Sequence, residues 1–300
     1  SRPWLSMYRA WALLLTGQID SIEPDLQCAL QPPTSTDLRG HATSIRAYAA
    51  AILGNAARAK ELARQALGLL SADELTVRSV VTFVLAGIYV LDQDVVRASL
   101  YFAEASQLGL QAGNVHLAVS AAGRVAAMQV LQGELPAAAD SYRHTLQMAA
   151  EHSGQRSPTA GQAHSGLGSI LFEWNDLEGA ERHLQQAVEQ NKLWGNVESL
   201  ANSLVNFARL RQVQGDWVGS RELLQQAERA IQQHTVIPLT TSTIAAAWPH
   251  LWLAQGDLSA ATQWVVDRQL SPDDHFDFVR EAEYRTLARV LLAQKRTADA

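Results

Sequence analysis

The chain has 300 residues, with 24 Lys+Arg against 30 Asp+Glu for a formal net charge of -6, 47% hydrophobic and 18% charged residues. That balance excludes a disordered chain, and the acidic excess counts against broad nucleic-acid binding by this segment. The single cysteine, Cys28, excludes an intrachain disulfide and a Cys-based metal site and fits a reducing compartment. There is no apolar run long enough for a membrane span and no basic start leading into an apolar stretch, so a soluble, cytoplasmic protein without membrane contact is expected. The start at Ser1 rather than Met hints at an excised fragment.

Read in chain order, one short signal recurs. It stands at Leu15-Thr16-Gly17-Gln18, Ile52-Leu53-Gly54-Asn55, Leu91-Asp92-Gln93-Asp94, Leu131-Gln132-Gly133-Glu134, Glu173-Trp174-Asn175-Asp176, Val213-Gln214-Gly215-Asp216 and Ala254-Gln255-Gly256-Asp257. The anchors at 17, 54, 93, 133, 175, 215 and 256 are separated by 37, 39, 40, 42, 40 and 41 residues. A partial eighth repeat follows, where Leu292-Ala293-Gln294-Lys295 mimics Leu253-Ala254-Gln255-Gly256. A fixed period of this size marks a repeat array.

Other columns hold register with the anchor. Seven residues before it stand Ala10, Ala47, Ala86, Ala126, Gly168, Ala208 and Pro249, and five after it Ile22, Ala59, Ala98, Ala138, Ala180, Ser220 and Ala261. Nine after it come Leu26, Ala63, Phe102, Tyr142, Leu184, Leu224 and Val265; twelve after it come Ala29, Ala66, Ala105, Thr145, Ala187, Ala227 and Arg268. Small residues before and after the turn let two helices approach, and the larger residue fills the space between them.

The flanking pattern is helical, as in the stripe Ala180, Leu184, Ala187 and Val188. Gly at the anchor suits a helix C-terminus, and the acid or amide after it suits the next N-terminus. Each repeat therefore reads as helix A, a tight turn, helix B and a loop. Loop signals fall at Gln31-Pro32-Pro33-Thr34-Ser35, Gly113-Asn114, Ser153 to Pro158 and Gly195-Asn196. The expected fold is all-α, an α-solenoid of about seven and a half helical hairpins with a period near 40 residues, forming one domain over 1–300.

These columns resemble the tetratricopeptide (TPR) pattern, whose usual period of about 34 residues is shorter. The segment Arg2-Pro3-Trp4-Leu5 with Arg9-Ala10-Trp11-Ala12-Leu13-Leu14-Leu15-Thr16-Gly17 resembles the opening of the repeat domain in MalT-like, LuxR-type bacterial transcriptional activators. Leu171 to Leu184 (LFEWNDLEGAERHL) is similar to a fifth-repeat block of that family. The resemblance implies a right-handed superhelix that serves as the sensor, effector-binding and oligomerisation domain of a larger regulator. It implies an ATPase module upstream and a helix-turn-helix downstream, neither of which lies in this chain. Its partners would be a small inducer or a regulatory protein, the parent's other domains and further copies of itself, with no nucleic-acid contact by this segment. A stand-alone scaffold holding an extended peptide is the alternative.

No phosphate-loop, nucleophile-elbow, dinucleotide or zinc-protease motif occurs. The nine histidines, His183 on a helix B and His250 on a helix A among them, include no pair at the four-residue spacing of a metal-binding helix face. The reading is a non-enzyme with no cofactor and no metal. In TPR repeats the residues 3, 6, 9, 10 and 13 before the turn face the groove, as the resemblance implies. They are mostly apolar in repeats one to three (Trp4, Met7, Tyr8, Trp11, Val80, Phe83 and Val90) and polar later. Candidate ligand contacts are Arg124 in repeat four, Gln162, Ser165, Ser169, Phe172 and Glu173 in repeat five, and Asn202, Asn206 and Arg209 with Gln212 in repeat six. His250 follows in repeat seven, with Arg285 and Arg289 in the partial eighth. Such residues make directional hydrogen bonds and a stacking surface, or equally a solvated concave face with ordinary cross-helix pairs. Trp174 is expected to wedge between hairpins, and Trp4 and Trp11 to cap or join an N-terminal neighbour.

Overall fold

A computed structural model describes residues 2–16, 18–153, 158–232, 234 and 236–296. Among these residues there are fifteen α-helices and no strand. Seven hairpins follow in order: α1 (Arg2–Leu15) with α2 (Glu23–Ala29), α3 (Thr36–Ile52) with α4 (Ala56–Leu69), α5 (Leu75–Leu91) with α6 (Val95–Gln111), and α7 (Val115–Leu131) with α8 (Leu135–Ser153). Then come α9 (Gly161–Glu173) with α10 (Leu177–Trp194), α11 (Val197–Val213) with α12 (Trp217–Ile231), and α13 (Pro238–Ala254) with α14 (Leu258–Asp267). A last helix A, α15 (Glu281–Ala293), opens the partial eighth repeat. The expected helix B beyond it, the anchor Gly17 and the loop residues 154–157 lie outside the described residues. The chain forms two compact units, Ser1–Met148 and Ala149–Ala300.

The anchors close the hairpins by a specific geometry. Gly54, Gln93, Gly133, Asn175, Gly215 and Gly256 have φ of +77, +59, +80, +61, +78 and +79°, and Lys295 repeats it at +63°. This left-handed residue turns the chain so that the next amide reaches back into the ended helix. Asn55 N donates to Ala50 O, Asp94 N to Tyr89 O, Asp176 N to Leu171 O, Asp216 N to Arg211 O and Asp257 N to Trp252 O, at 2.8–2.9 Å. The same five side chains then cap helix B, accepting from the amides of Arg58, Arg97, Gly179, Gly219 and Ala260 at 2.8–3.1 Å. The connection between hairpins copies the device at Gly113-Asn114 and Gly195-Asn196, where the Asn side chains cap α7 and α11.

Because the described anchor turns share one geometry, the columns meet in space. The positions seven before and five and nine after the anchor are buried in nearly every repeat. At Gly168 even a methyl group would not fit: a Cβ there would lie 2.8 Å from Leu184 Cγ, the filling residue of the same hairpin. Repeat seven departs from the pattern, since Arg268 replaces the small residue twelve after the anchor. Its guanidinium binds the carboxylate of Glu283 on α15, and Arg280 clamps the other oxygen at 2.7 Å. Glu283 is fully buried, so two cations compensate one desolvated anion.

In the first unit α1, α3, α5 and α7 contact one another in succession; in the second, α9, α11, α13 and α15 do the same. Within each unit the A helices thus form one wall. Two expectations about it are corrected, those for Met7 and Trp174. Met7 is fully buried among Ala10, Leu14, Ile45 and their neighbours, so it is core rather than groove lining. Trp4 and Trp11 join the adjacent repeat: Trp4 meets the edge of His41 at 5.0 Å, and Trp11 Nε1 lies 3.5 Å from His41 Nδ1, to which it donates. His41 Nε2 lies 3.1 Å from Glu74, which fixes that tautomer. Trp174 is 44% exposed at the end of α9, where the left-handed turn at Asn175 swings the chain away, so it is no wedge.

Gln93 carries the turn's left-handed conformation at a cost glycine does not have. Gln93→Gly is expected to stabilise the fold by about 0.5–1 kcal/mol in denaturant unfolding, and Gly133→Ala to destabilise it by about 1 kcal/mol. Glu283→Gln strands two arginines and is expected to cost about 2 kcal/mol or more in the same measurement.

Candidate functional site

The wall of the second unit holds most of the polar residues singled out in the sequence. Between α9 and α11, Gln162 Nε2 donates to Ser199 Oγ at 3.0 Å and Asn206 Nδ2 to Ser165 Oγ at 3.3 Å. Ser169 Oγ turns inward along its own helix, donating to Ser165 O at 2.9 Å. Arg209 stretches across the seam, 3.5 Å from Glu173 Oε1, with its guanidinium carbon 5.4 Å from the Phe172 ring centre. Between α13 and α15, His250 Nε2 lies 3.1 Å from Thr286 Oγ1, which in turn donates to Ala246 O at 3.3 Å. Arg289 reaches His250 Nδ1 at 3.4 Å. Six predicted residues, Gln162, Ser165, Phe172, Glu173, Asn206 and Arg209, therefore share one seam, Ser169 bonds only within α9, and His250 lies in the seam between α13 and α15.

Two predicted residues behave differently. Asn202, half-buried on α11, makes no hydrogen bond to another described residue, so its amide keeps its donors and acceptor. Arg124 is exposed on α7 in the first unit and is not part of these seams. Its charge acts on Tyr142, whose hydroxyl burial nevertheless pushes up to about 12.

The register explains the row. Ser169, Arg209, His250 and Arg289 all stand six residues before their anchors at 175, 215, 256 and 295. The equivalent positions in the first unit are Trp11, Tyr48, Gly87 and Ala127. One column is thus aromatic or small up to Ser169 and basic from Arg209 onward.

Burial, followed by the neighbouring charges of Arg289, Arg209 and Arg285, pulls His250 down to about 4. Arg209 is also lowered, first by burial and then by Arg289 and Arg285, against the opposing pull of Glu173. Sequence reasoning missed the bridging hydroxyls of Ser199 and Thr286, because small hydroxyls at helical positions carry no pattern of their own. It also missed a histidine pair: His164 on α9 and His183 on α10 approach Nδ1 to Nδ1 at 2.8 Å, one ring donating to the other. Burial and the second ring pull His164 down to about 4. His183 is therefore half of a cross-helix pair, a contact that only the hairpin turn brings about. Among the described residues no group of three or more metal-ligating side chains assembles, and no helix is long and apolar enough to cross a membrane.

Residues 40–300 match the MalT-like TPR region. The chain belongs to that family. It is 23% identical to the HTH-type transcriptional regulator MalT of Yersinia pestis (strain Pestoides F), over 99% of this chain and 33% of that protein. The chain therefore spans about a third of the length of the curated relatives it matches. Two solved structures share the fold. One is the apo form of the quorum sensor NprR from B. thuringiensis (TM-score 0.70, 11% identity, 98% of this chain and 83% of that one). The other is NprR in complex with its cognate peptide NprX (TM-score 0.63, 11% identity, 96% and 87%). The TPR hairpins are common to these proteins, whereas the basic column of the second unit is read from this chain's own residues.

The histidine shifts have a sign. His164 and His250 titrate lower folded than unfolded, so the unfolded chain binds more protons in the interval between. Their contribution is complete above about pH 6.5 and is lost as pH falls towards about 4. Unfolding free energy is expected to fall across that window, and to fall less steeply in His164→Gln and His250→Gln. An NMR titration should show His250 neutral at pH 5.

Proposed function

We propose that this MalT-like TPR region is the sensor and interaction segment of a LuxR-type transcriptional regulator, and that it takes its effector on the A-helix wall of the second unit. The observation that carries this is the half-buried Asn202 amide with its hydrogen-bonding groups unused. It stands beside a seam in which Gln162, Asn206 and Arg209 are held in place by neighbours. Fixed polar groups next to unused ones suit recognition, since positioning is complete before the ligand arrives. The similarity to the HTH-type transcriptional regulator MalT supports the regulatory role.

In this reading the effector is a small inducer or a regulatory protein. The first unit's apolar column and Arg124 serve contacts with the parent's other domains or with a second copy. The ATPase module and the helix-turn-helix belong to the parent, which works in the cytoplasm, and this segment touches neither DNA nor membrane. It binds and relays rather than catalyses. A second reading, a scaffold for an extended peptide, is favoured by the peptide-bound NprR that shares the fold. The two differ in what raises the melting temperature, because a ligand specific for the folded state stabilises it.

A thermal-shift screen with sugars, metabolites and peptides tests both readings. Asn202→Ala is expected to weaken the effector it finds by about five- to ten-fold, the worth of one hydrogen bond, and Asn206→Ala with Arg209→Ala to weaken it further. Unchanged affinity in all of these variants removes the site from this wall.

A further inference from the structure

The basic column carries an inference about ligand chemistry. Arg285 and Arg289 on α15 act on Arg209 on α11, and all three act on His250 on α13, which contacts both of those helices. A guanidinium has five N–H donors, and these three use few. Arg209 reaches Glu173 only at 3.5 Å, Arg289 meets a histidine nitrogen at 3.4 Å, and Arg285 meets Glu281 within its own helix at 3.1 Å. Arg289 and Arg285 are exposed. The counter-charges among these contacts are Glu173 and Glu281, so the cluster carries excess positive charge in a chain whose net charge is -6. Like charges gathered on one face work against folding, and what offsets them is an anion.

His250 shapes the site without adding charge. Its Nδ1 accepts from Arg289, so its Nε2 carries the proton and donates to Thr286. The ring is thereby a fixed neutral post that orients the Arg289 guanidinium. Phe172 on α9 supports Arg209 through its ring face, 5.4 Å from the guanidinium carbon.

We propose that the ligand of this face carries an anionic oxyacid group, a carboxylate or a phosphate, received by the guanidinium groups of Arg209, Arg285 and Arg289. This rests on the reading of the wall as the effector face and narrows the chemical class. Bidentate arginine contacts fit both oxyanions.

The test uses the whole chain, with inorganic phosphate and citrate as the probes and sodium chloride matched for ionic strength as the reference. Melting temperature and the arginine side-chain N–H resonances are followed. Phosphate or citrate is expected to raise the melting temperature above the chloride reference and to move the Arg209 and Arg289 signals. Arg289→Gln and Arg285→Gln should each weaken the response about ten-fold, whereas Arg143→Gln on α8 should leave it unchanged. Preference for one probe assigns the group to phosphate or to carboxylate. Without anion, Arg289→Gln should melt no lower than the parent chain, since it relieves repulsion; a clear drop would make the cluster structural and overturn the proposal. Equal responses in Arg143→Gln and Arg289→Gln, or none to either probe, would overturn it as well. A screened effector weakened by Asn202→Ala but not by Arg289→Gln overturns the anion assignment alone. One indifferent to both overturns the effector face too.

Discussion

Five hairpins, turning at Gly54, Gln93, Asn175, Gly215 and Gly256, close through a residue in the left-handed conformation whose successor both bonds back into helix A and caps helix B. That pair of bonds fixes where the second helix starts and at what rotation, so a residue a set number of places from the turn always meets the same partner. The close approach of the helices depends on it. A different turn at Asn175, for example, would bring some other face of α10 to Gly168, where no Cβ can be accommodated beside Leu184. The period near 40 residues leaves room for A helices of 17 residues at α3, α5, α7, α11 and α13.

The same constraint converts sequence columns into rows on the surface. A residue six places before the turn recurs on each neighbouring A helix, so changing one column changes a whole strip. In the second unit this column is Ser169 and then Arg209, His250 and Arg289, and in the first it is Trp11, Tyr48, Gly87 and Ala127. The repeat thus separates two tasks. The columns near the turn hold the helices together, and the wall column varies in residue type without disturbing them. Arg268 shows a limit to that separation: where a small packing residue is lost in repeat seven, a buried carboxylate takes up the charge.

Most of the fold was legible because turn geometry and close packing restrict residue type. Gly, Asn or Gln at the anchor and Ala at the helix contacts are visible in one sequence, and they located seven hairpins and the opening of an eighth. Parts of the site were legible through register alone, as with Asn206, Arg209 and His250. What register cannot show is whether a polar side chain is already satisfied. Ser169 lies in the wall column but spends its hydroxyl on Ser165 O, while Asn202 makes no hydrogen bond to another described residue. The contact of His164 with His183 was hidden for the same reason, since it joins two helices across a turn rather than two turns of one helix. Met7 and Trp174 misled because an apolar residue on an A helix can face the core, the wall or the solvent, depending on a rotation that its identity does not record.

The central claim is that the A-helix wall of the second unit is where this MalT-like region receives its effector. Amide hydrogen exchange with and without the effector found by screening tests it most directly, because exchange reports where bound ligand suppresses local opening. The account expects added protection in α9, α11, α13 and α15, with α4 and α6 of the first unit unchanged. Protection confined to the B helices, or to the first unit, would contradict it.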